Sequence, residues 1–242
     1  MDFLDGYIIR ARLFPAMLAI APALVLLFVL VGGNYENLGP PEFLITVTVG
    51  VLFFAFADIA RRFGRHAERK IFASSDGRPF PTVLRHRDDT IVSTSKARYL
   101  SYLARELGEP PPTPEDEKAD PAAADCFYVS CGDLLRAKTR NQSQFHLLFA
   151  ENISYGFRRN LYGLKYPGLL LNAATAAISF RFVYTDPDNN LAQYGTVLVV
   201  SAIHAFYFIV GVTRKSVIEA GEQYGRQLVL SCDELTSNRK DA

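Results

Sequence analysis

The sequence lacks the short motifs that mark the commoner catalytic and nucleotide-binding sites. It contains no G-x-x-x-x-G-K-[ST] phosphate loop, no G-x-G-x-x-G turn, no H-E-x-x-H zinc pair and no G-x-S-x-G nucleophile turn. We therefore name no catalytic residues and lean towards a protein that is not an enzyme. A membrane-bound enzyme with a cytoplasmic site stays open as an alternative, because folded sites need not be visible as motifs.

Cysteine is scarce as well, with Cys126, Cys131 and Cys232 the only three in the chain. All three fall in regions that we expect to be cytoplasmic, where thiols are normally kept reduced. The C-x4-C spacing of the first two, with no second pair or histidine nearby, is poor geometry for zinc. We expect no disulfide, no metal site and no cofactor.

Basic residues are missing from two short connectors, 33–42 and 185–190, and this absence carries information. Each connector contains two acidic residues, whereas Lys and Arg cluster after residue 60, before residue 166 and after residue 212. Because positively charged loops stay on the cytoplasmic side of a membrane, both termini and the stretch between the clusters are predicted to be cytoplasmic.

The connectors separate four long apolar segments, which are the dominant feature of the sequence. They cover residues 13–32, 43–60, 166–184 and 191–212. A helix of about 20 residues, rising about 1.5 Å per residue, crosses a hydrocarbon core of roughly 30 Å. The sequence predicts an all-α integral membrane protein whose four transmembrane helices form two hairpins.

Four parts follow from this pattern. Residues 1–60 form the first transmembrane hairpin, 61–165 a mainly helical cytoplasmic insert, 166–212 the second hairpin, and 213–242 a cytoplasmic helix and tail. Apolar residues recur every three or four positions from Val217 to Leu235. We therefore expect the fourth helix to continue into the cytoplasm, where its apolar stripe packs on the insert or on the same helix of another subunit.

Within the insert, residue spacing and helix-start signals predict several helices. They are expected over 94–107, 120–139 and 145–164, with the second span prolonged over 61–73 and a break at 74–81. The acidic stretch 115–120 has too little apolar surface to order itself, so we expect an exposed, mobile loop there. Extended character is confined to 82–84 and 90–92.

The layout of paired spans around a cytoplasmic insert resembles that of four-span membrane effectors in bacterial anti-phage signalling operons. The resemblance is one of architecture. It implies a cytoplasmic sensor coupled to a membrane bundle that oligomerises or permeabilises the bilayer.

Polar residues inside the third and fourth segments form the first candidate site. They are Asn172, Thr175, Ser179, Ser201 and His204. An isolated imidazole in hydrocarbon is costly, so we expect these residues to form one buried network, with His204 bonded to the polar residues of the third span. The stripe either packs helices together or lines a water-filled pathway.

Two prolines lie in the first span. Pro15 falls in its predicted opening turn, where a missing N–H costs little, whereas Pro22 removes an interior hydrogen bond. We expect a neighbouring helix to satisfy the carbonyl that Pro22 leaves free.

Basic and aromatic residues at the inner ends of the spans form the second candidate site. They are Arg61, Arg62, Arg65, Tyr155, Arg158, Arg159, Tyr162 and Lys165. Such residues lie at headgroup level and attract anionic lipid, so the bilayer and its anionic headgroups are the expected partners. Because these clusters flank the spans, no nucleic acid partner is expected.

The third candidate is a cytoplasmic loop that gathers acid, base and imidazole. It contains Arg85, His86, Arg87, Asp88 and Asp89. Arginine and histidine in such a loop suit a cytoplasmic ligand, although solvated charge runs of this kind are more common.

The sequence thus favours a non-enzymatic signalling or effector protein that forms a homo-oligomer and responds to a cytoplasmic protein or small-molecule signal. A third span poor in lipid-suited residues motivates the oligomer. A small channel or transporter that uses the polar stripe is the alternative, and a membrane-bound enzyme is the second alternative.

Overall fold

The computed structural model describes residues 6–31, 42–73 and 79–237, and every regular element within these ranges is a helix. The predicted all-α class is therefore confirmed. Parts of the connector at 33–42, the break at 74–81 and the end of the C-terminal tail lie outside the described residues.

The helices are numbered here in chain order. They are α1 (Gly6–Ile8, a π-helical turn at Ile9–Leu13, then Phe14–Val31), α2 (Glu42–Ile71), α3 (Pro79–Leu84), α4 (Ser93–Leu107), α5 (Pro114–Ala119), α6 (Pro121–Lys138), α7 (His146–Gly163), α8 (Lys165–Thr185), α9 (Pro187–Phe206, then a π-helical turn at Tyr207–Gly211) and α10 (Arg214–Ser237).

The chain divides into two compact units. The first unit comprises residues 1–68 and 156–216, and the second comprises residues 69–155 and 217–242. The chain passes between them at 68/69, 155/156 and 216/217, and each of these points lies inside a helix, in α2, α7 and α10 respectively.

Two helices of the first unit, Gly6–Leu30 and Pro187–Gly211, are long and apolar enough to cross a membrane among the residues described. Large apolar side chains are exposed along this unit, among them Phe28 at 66%, Leu170 at 75% and Phe206 at 69%. Exposed apolar surface on this scale is unusual for a protein surrounded by water. These two helices therefore support an association of the protein with a membrane.

The second unit has a conventional apolar core. Leu84 of α3, Leu103 of α4, Tyr128 of α6 and Leu228 of α10 are almost completely buried in one cluster. Cys232 belongs to the same cluster. The apolar stripe of α10 therefore packs on the insert, which is one of the two partners that the sequence left open.

The expected mobile loop at 115–120 is wrong, because residues 114–119 form helix α5. Thr113 and Asp116 make a capping box, in which Asp116 N–H donates to Thr113 Oγ1 at 3.1 Å and Thr113 N–H donates to Asp116 Oδ2 at 2.9 Å. Glu117 is buried and accepts hydrogen bonds. These bonds satisfy the helix N-terminus and offset the shortage of apolar surface.

Two other local expectations also change. Residues 82–84 lie in helix α3, and residues 90–92 form no strand. Helix α9 does not run on into α10, because Val212 is extended (φ −89°, ψ 91°) and Thr213 Oγ1 accepts from Ser216 N–H at 3.1 Å to begin a new helix. The predicted start of α6 at Asp120 and Pro121 is confirmed by the cap from Asp120 to Ala123 N–H.

Candidate functional site

The polar residues predicted in the third and fourth spans share one feature, which is burial. Asn172, Thr175 and Ser179 form the buried face of α8 together with Gly168, and Ser201 and His204 are buried on α9. Spacings of three and four residues place the α8 residues on one side of the helix. We call Asn172, Thr175, Ser179, Ser201 and His204 the polar seam.

The seam bonds mainly from side chain to backbone. Asn172 Nδ2 donates to the carbonyl of Ser201 at 2.9 Å, and this bond joins α8 to α9. Ser179 Oγ donates to the carbonyl of Thr175 at 2.9 Å within α8. The polar seam therefore connects α8 to α9 through a backbone carbonyl oxygen, and its other bond stays within α8.

His204 has a different partner from the one expected. Its Nε2 lies 3.0 Å from the carbonyl oxygen of Leu18 on α1, not against Asn172, Thr175 or Ser179. A carbonyl can only accept, so Nε2 carries a proton and donates this bond. The imidazole also stacks on Phe208, with ring centroids 4.2 Å apart.

The reason lies four residues after Leu18. Pro22 has no N–H, so the carbonyl of Leu18 loses its ordinary helical donor. Within an apolar bundle such a carbonyl must find another donor. His204 supplies it, as expected for a carbonyl freed by Pro22.

A second proline of α1 is matched in the same way, and the sequence did not reveal this. Asn160 of α7 is fully buried, and its Nδ2 donates to the carbonyl of Ala11 at 2.6 Å. Ala11 is four residues before Pro15, whose missing N–H would have bonded it. Because α1 begins at Gly6 and not near residue 13, Pro15 is interior and its carbonyl needs a donor.

Three atoms of the seam are left without a hydrogen-bond partner in the part of the chain that the structure describes. They are Asn172 Oδ1, Ser201 Oγ and His204 Nδ1, and each is buried. Buried polar atoms normally have partners, and an unmade bond is expensive. The seam therefore has spare hydrogen-bonding capacity for a water molecule, a proton or a rearranged helix.

The charged loop at 85–89 is bound into the second unit. Arg85 is buried and makes a two-point ion pair with Asp125, one bond of which is 2.8 Å between Nε and Oδ1. Lys96 Nζ donates to the carbonyl of Arg85 at 2.7 Å and also to that of Asp88. Burial lowers the pKa of Lys96.

Other members of the loop are also engaged. The His86 N–H donates to Glu117 Oε2 at 2.7 Å, and the His86 ring lies 2.9 Å from the carbonyl of Pro112. Arg87 is 3.8 Å from Glu117, and Asp88 accepts from Thr90 N–H at 2.9 Å. Asp89 is exposed. These contacts hold the loop in place, and ligand binding there stays a prediction.

The predicted interface residues make a mixture of contacts. Lys165 Nζ donates to the carbonyls of Val212 at 2.7 Å and Ile209 at 3.2 Å, which satisfies the end of α9. Arg62 pairs with Asp58, and Arg159 pairs with Glu68. Tyr155 stacks on Tyr224, and Tyr162 packs against the apolar cluster that contains Leu161 and Leu164. Arg61 is half-buried, and Arg65 and Arg158 are exposed.

No group of three or more His, Cys, Asp or Glu side chains suited to a metal ion occurs among the described residues. Comparison with known proteins gives no match to a family model, to a curated protein or to a solved structure. The function has to be argued from the molecule itself.

Proposed function

We propose that this chain is a four-span integral membrane protein, with both termini and the insert in the cytoplasm, that acts as a non-enzymatic signalling or effector protein. In this account the first unit lies in the bilayer. The second unit receives a cytoplasmic protein or small-molecule signal and controls the membrane helices.

The observation that carries the proposal is the reversed polarity of the first unit. Its interior holds Asn160, Asn172 and His204, while Phe28 and Phe206 are exposed. In water such an arrangement would be unfavourable, whereas in lipid the apolar side chains find their solvent and the polar ones find each other. The second unit has the opposite and ordinary pattern.

The two spans beyond Gly6–Leu30 and Pro187–Gly211 are assigned to α2 and α8. Helix α2 carries the apolar segment 43–60 followed directly by Arg61 and Arg62. Helix α8 turns its polar face inward and exposes Leu170, Ile178 and Phe180. The positive ends of both helices support the cytoplasmic placement of the insert.

Control of the membrane helices by the second unit is supported by the connections of the chain. All three passages between the units lie within helices, in α2, α7 and α10. A helix transmits a displacement along its axis better than a flexible loop does, since its backbone is hydrogen-bonded throughout. A change in the second unit would therefore reach the first without a new contact.

A homo-oligomer fits the outer surface of α8. Ala173, Ala174 and Ala177 are exposed there. Small residues let two helices approach closely in lipid, where packing rather than the hydrophobic effect drives association. A second copy of the chain is the proposed occupant, and mass measurement in nanodiscs tests it: a monomer alone contradicts the oligomer.

A channel is the second candidate, and one observation favours it. Among the described residues, the buried atoms Asn172 Oδ1, Ser201 Oγ and His204 Nδ1 have no hydrogen-bond partner. A state in which they face water would satisfy all three.

Flux through liposomes separates these functions. We would reconstitute the full chain and compare ion flux and oligomer mass for wild type, Arg85→Ala in the second unit and His204→Ala in the seam. Thr196→Ala is the matched control, because Thr196 is an exposed hydroxyl on α9 that bonds only to its own helix at Ala192 among the described contacts.

An effector predicts that Arg85→Ala changes flux or oligomer mass, although Arg85 lies in the second unit. A simple channel predicts a change with His204→Ala alone. If wild type and both variants show the same mass and no flux, the proposed function is wrong.

A further inference from the structure

Four arginines from three helices meet in the first unit. They are Arg12 of α1, Arg61 and Arg65 of α2, and Arg159 of α7. The last three are close enough to Arg12 for their charges to repel it. We call these four residues the arginine cluster.

Asn160 is the residue that brings the three helices together. It donates to the carbonyl of Ala11, the neighbour of Arg12, at 2.6 Å. Its Oδ1 accepts from Arg159 Nε at 3.3 Å and also touches Gly64, so closely that no side chain would fit there. Gly64 lies between Arg61 and Arg65 in α2, so the same close approach brings this stretch of α2 against α7.

Counted over the described residues, the cluster has more positive than negative charge. Glu68, 3.3 Å from Arg159, is the carboxylate that the structure records as an ion-pair partner of these four arginines within the described residues. Among the residues that the structure describes, the buried Arg12 Nε has no hydrogen-bond partner, and the Arg12 guanidinium lies 5.4 Å from the Tyr7 ring. Repulsion among cations and an unused buried donor both favour binding of an anion.

The position of the cluster along the chain identifies the kind of anion. Arg12 comes directly before the first apolar segment and Arg61 directly after the second, while Arg159 lies shortly before the third. In a membrane protein these are the levels of the headgroup phosphates. Guanidinium groups match phosphate oxygens in a two-point geometry.

We propose that the arginine cluster is a binding site for a phosphate group, carried by an anionic lipid headgroup or by free phosphate. The headgroup source rests on the proposed function, because it requires the apolar segments to lie in the bilayer. This site differs from a general attraction of basic surface residues to lipid, because it depends on four particular arginines around one asparagine.

Native mass spectrometry of the full chain, released from vesicles, provides the test. One set of vesicles contains phosphatidylcholine alone, and the other contains phosphatidylcholine with phosphatidylglycerol. A third arm adds sodium phosphate to the protein in neutral detergent and follows the melting temperature. The variants are Arg12→Gln and Arg65→Gln, and Arg140→Gln is the control because it is an exposed arginine of the second unit that belongs to no candidate site.

Wild type is expected to retain phosphatidylglycerol, and each cluster variant to lose at least about tenfold in apparent affinity, as for a lost charge-assisted bond. The control should stay within about twofold. A rise in melting temperature with sodium phosphate, absent from both cluster variants, would identify free phosphate as a ligand of the same site.

Equal retention of lipid by the cluster and control variants, or no binding of either probe by wild type, would overturn the site. Failure of the proposed function looks different, since the protein would then not remain with phosphatidylcholine vesicles. The sodium phosphate arm would still decide whether the cluster binds phosphate.

Discussion

His204 donates from Nε2 to the carbonyl oxygen of Leu18 at 3.0 Å, and Leu18 is the residue whose carbonyl Pro22 deprives of a helical donor. Asn160 likewise donates from Nδ2 to the carbonyl of Ala11, which lies four residues before Pro15. Each proline in α1 is thus matched by one buried polar side chain from another helix. This pairing explains why His204 and Asn160 lie inside the first unit.

The pairing predicts an energetic coupling between His204 and Pro22. His204→Ala should lower the free energy of unfolding by about 1 kcal/mol, the net contribution typical of one intramolecular hydrogen bond. In a Pro22→Ala background the cost should be smaller, because the new alanine N–H bonds Leu18 itself. Thermal or denaturant unfolding of the four chains in detergent measures this coupling.

Pro15→Ala is the matched control for that cycle. It restores a donor to Ala11, which Asn160 serves, and should leave the cost of His204→Ala unchanged. Equal costs of His204→Ala in the wild-type and Pro22→Ala backgrounds would show that the Leu18 bond contributes nothing.

Close backbone packing predicts a strong effect at Gly163. A Cβ there would lie 2.5 Å from the backbone carbon of Phe63, which cannot move aside without shifting α2. We expect Gly163→Ala to destabilise the first unit by about 1–3 kcal/mol or more. Gly195→Ala is the control, since a Cβ at Gly195 would lie 3.6 Å from the nearest atom, a methyl carbon of Leu191. Similar melting temperatures for the two variants would contradict this packing.

Glu117 is predicted to hold α5 and the loop at 85–89 in place. It accepts from Tyr128 O–H at 2.9 Å and from the His86 N–H at 2.7 Å, and burial raises the pKa of Tyr128. Glu117→Ala leaves the buried Tyr128 hydroxyl and the His86 N–H without this acceptor, at a cost of about 1–3 kcal/mol. Limited proteolysis should cut the variant faster near residues 109–120, whereas Glu115→Ala, on the exposed side, should behave as wild type.

The three cysteines should react very differently. Cys126 is exposed, while burial raises the pKa of Cys131 and of Cys232 to about 12. A thiol reagent at pH 8 should therefore modify one cysteine per native chain and three per unfolded chain. Rapid modification of all three in the native protein would show that the core of the second unit is open.

The raised pKa values of Cys131 and Cys232 determine how the stability of the second unit changes with pH. Above the usual thiol pKa of about 8.5 the unfolded chain releases these two protons and the folded chain keeps them. Stability of the second unit should fall as pH rises from about 9 towards 12. Replacement of both cysteines by alanine should reduce this slope.

Residue spacing was enough to predict which face of α8 is buried, since Asn172, Thr175 and Ser179 recur at helical intervals. It could not reveal that His204 bonds Leu18, because that contact depends on how α1 and α9 pack. The burial of Asn160 is not predictable for a related reason, because the apolar segment starts at residue 13, seven residues after the start of α1, and so does not show that Pro15 is interior.

For residues 115–120, the mobile loop predicted from composition is wrong. The acidic stretch is poor in apolar residues, yet Thr113 and Asp116 have the spacing of a capping box, a signal that was present in the sequence. Burial of Glu117 against Tyr128 depends on tertiary packing and had no local signal.

The central claim is the four-span topology with a cytoplasmic insert, and cysteine accessibility in intact cells tests it most directly. In a Cys126→Ser background, Asn37→Cys, Asn189→Cys and Asn238→Cys would each be treated with a membrane-impermeant maleimide; Asn37 and Asn238 lie outside the described residues. The account predicts labelling of the first two from outside, and of Asn238→Cys only after permeabilisation. Labelling of Asn238→Cys in intact cells, with the other two protected, would contradict it.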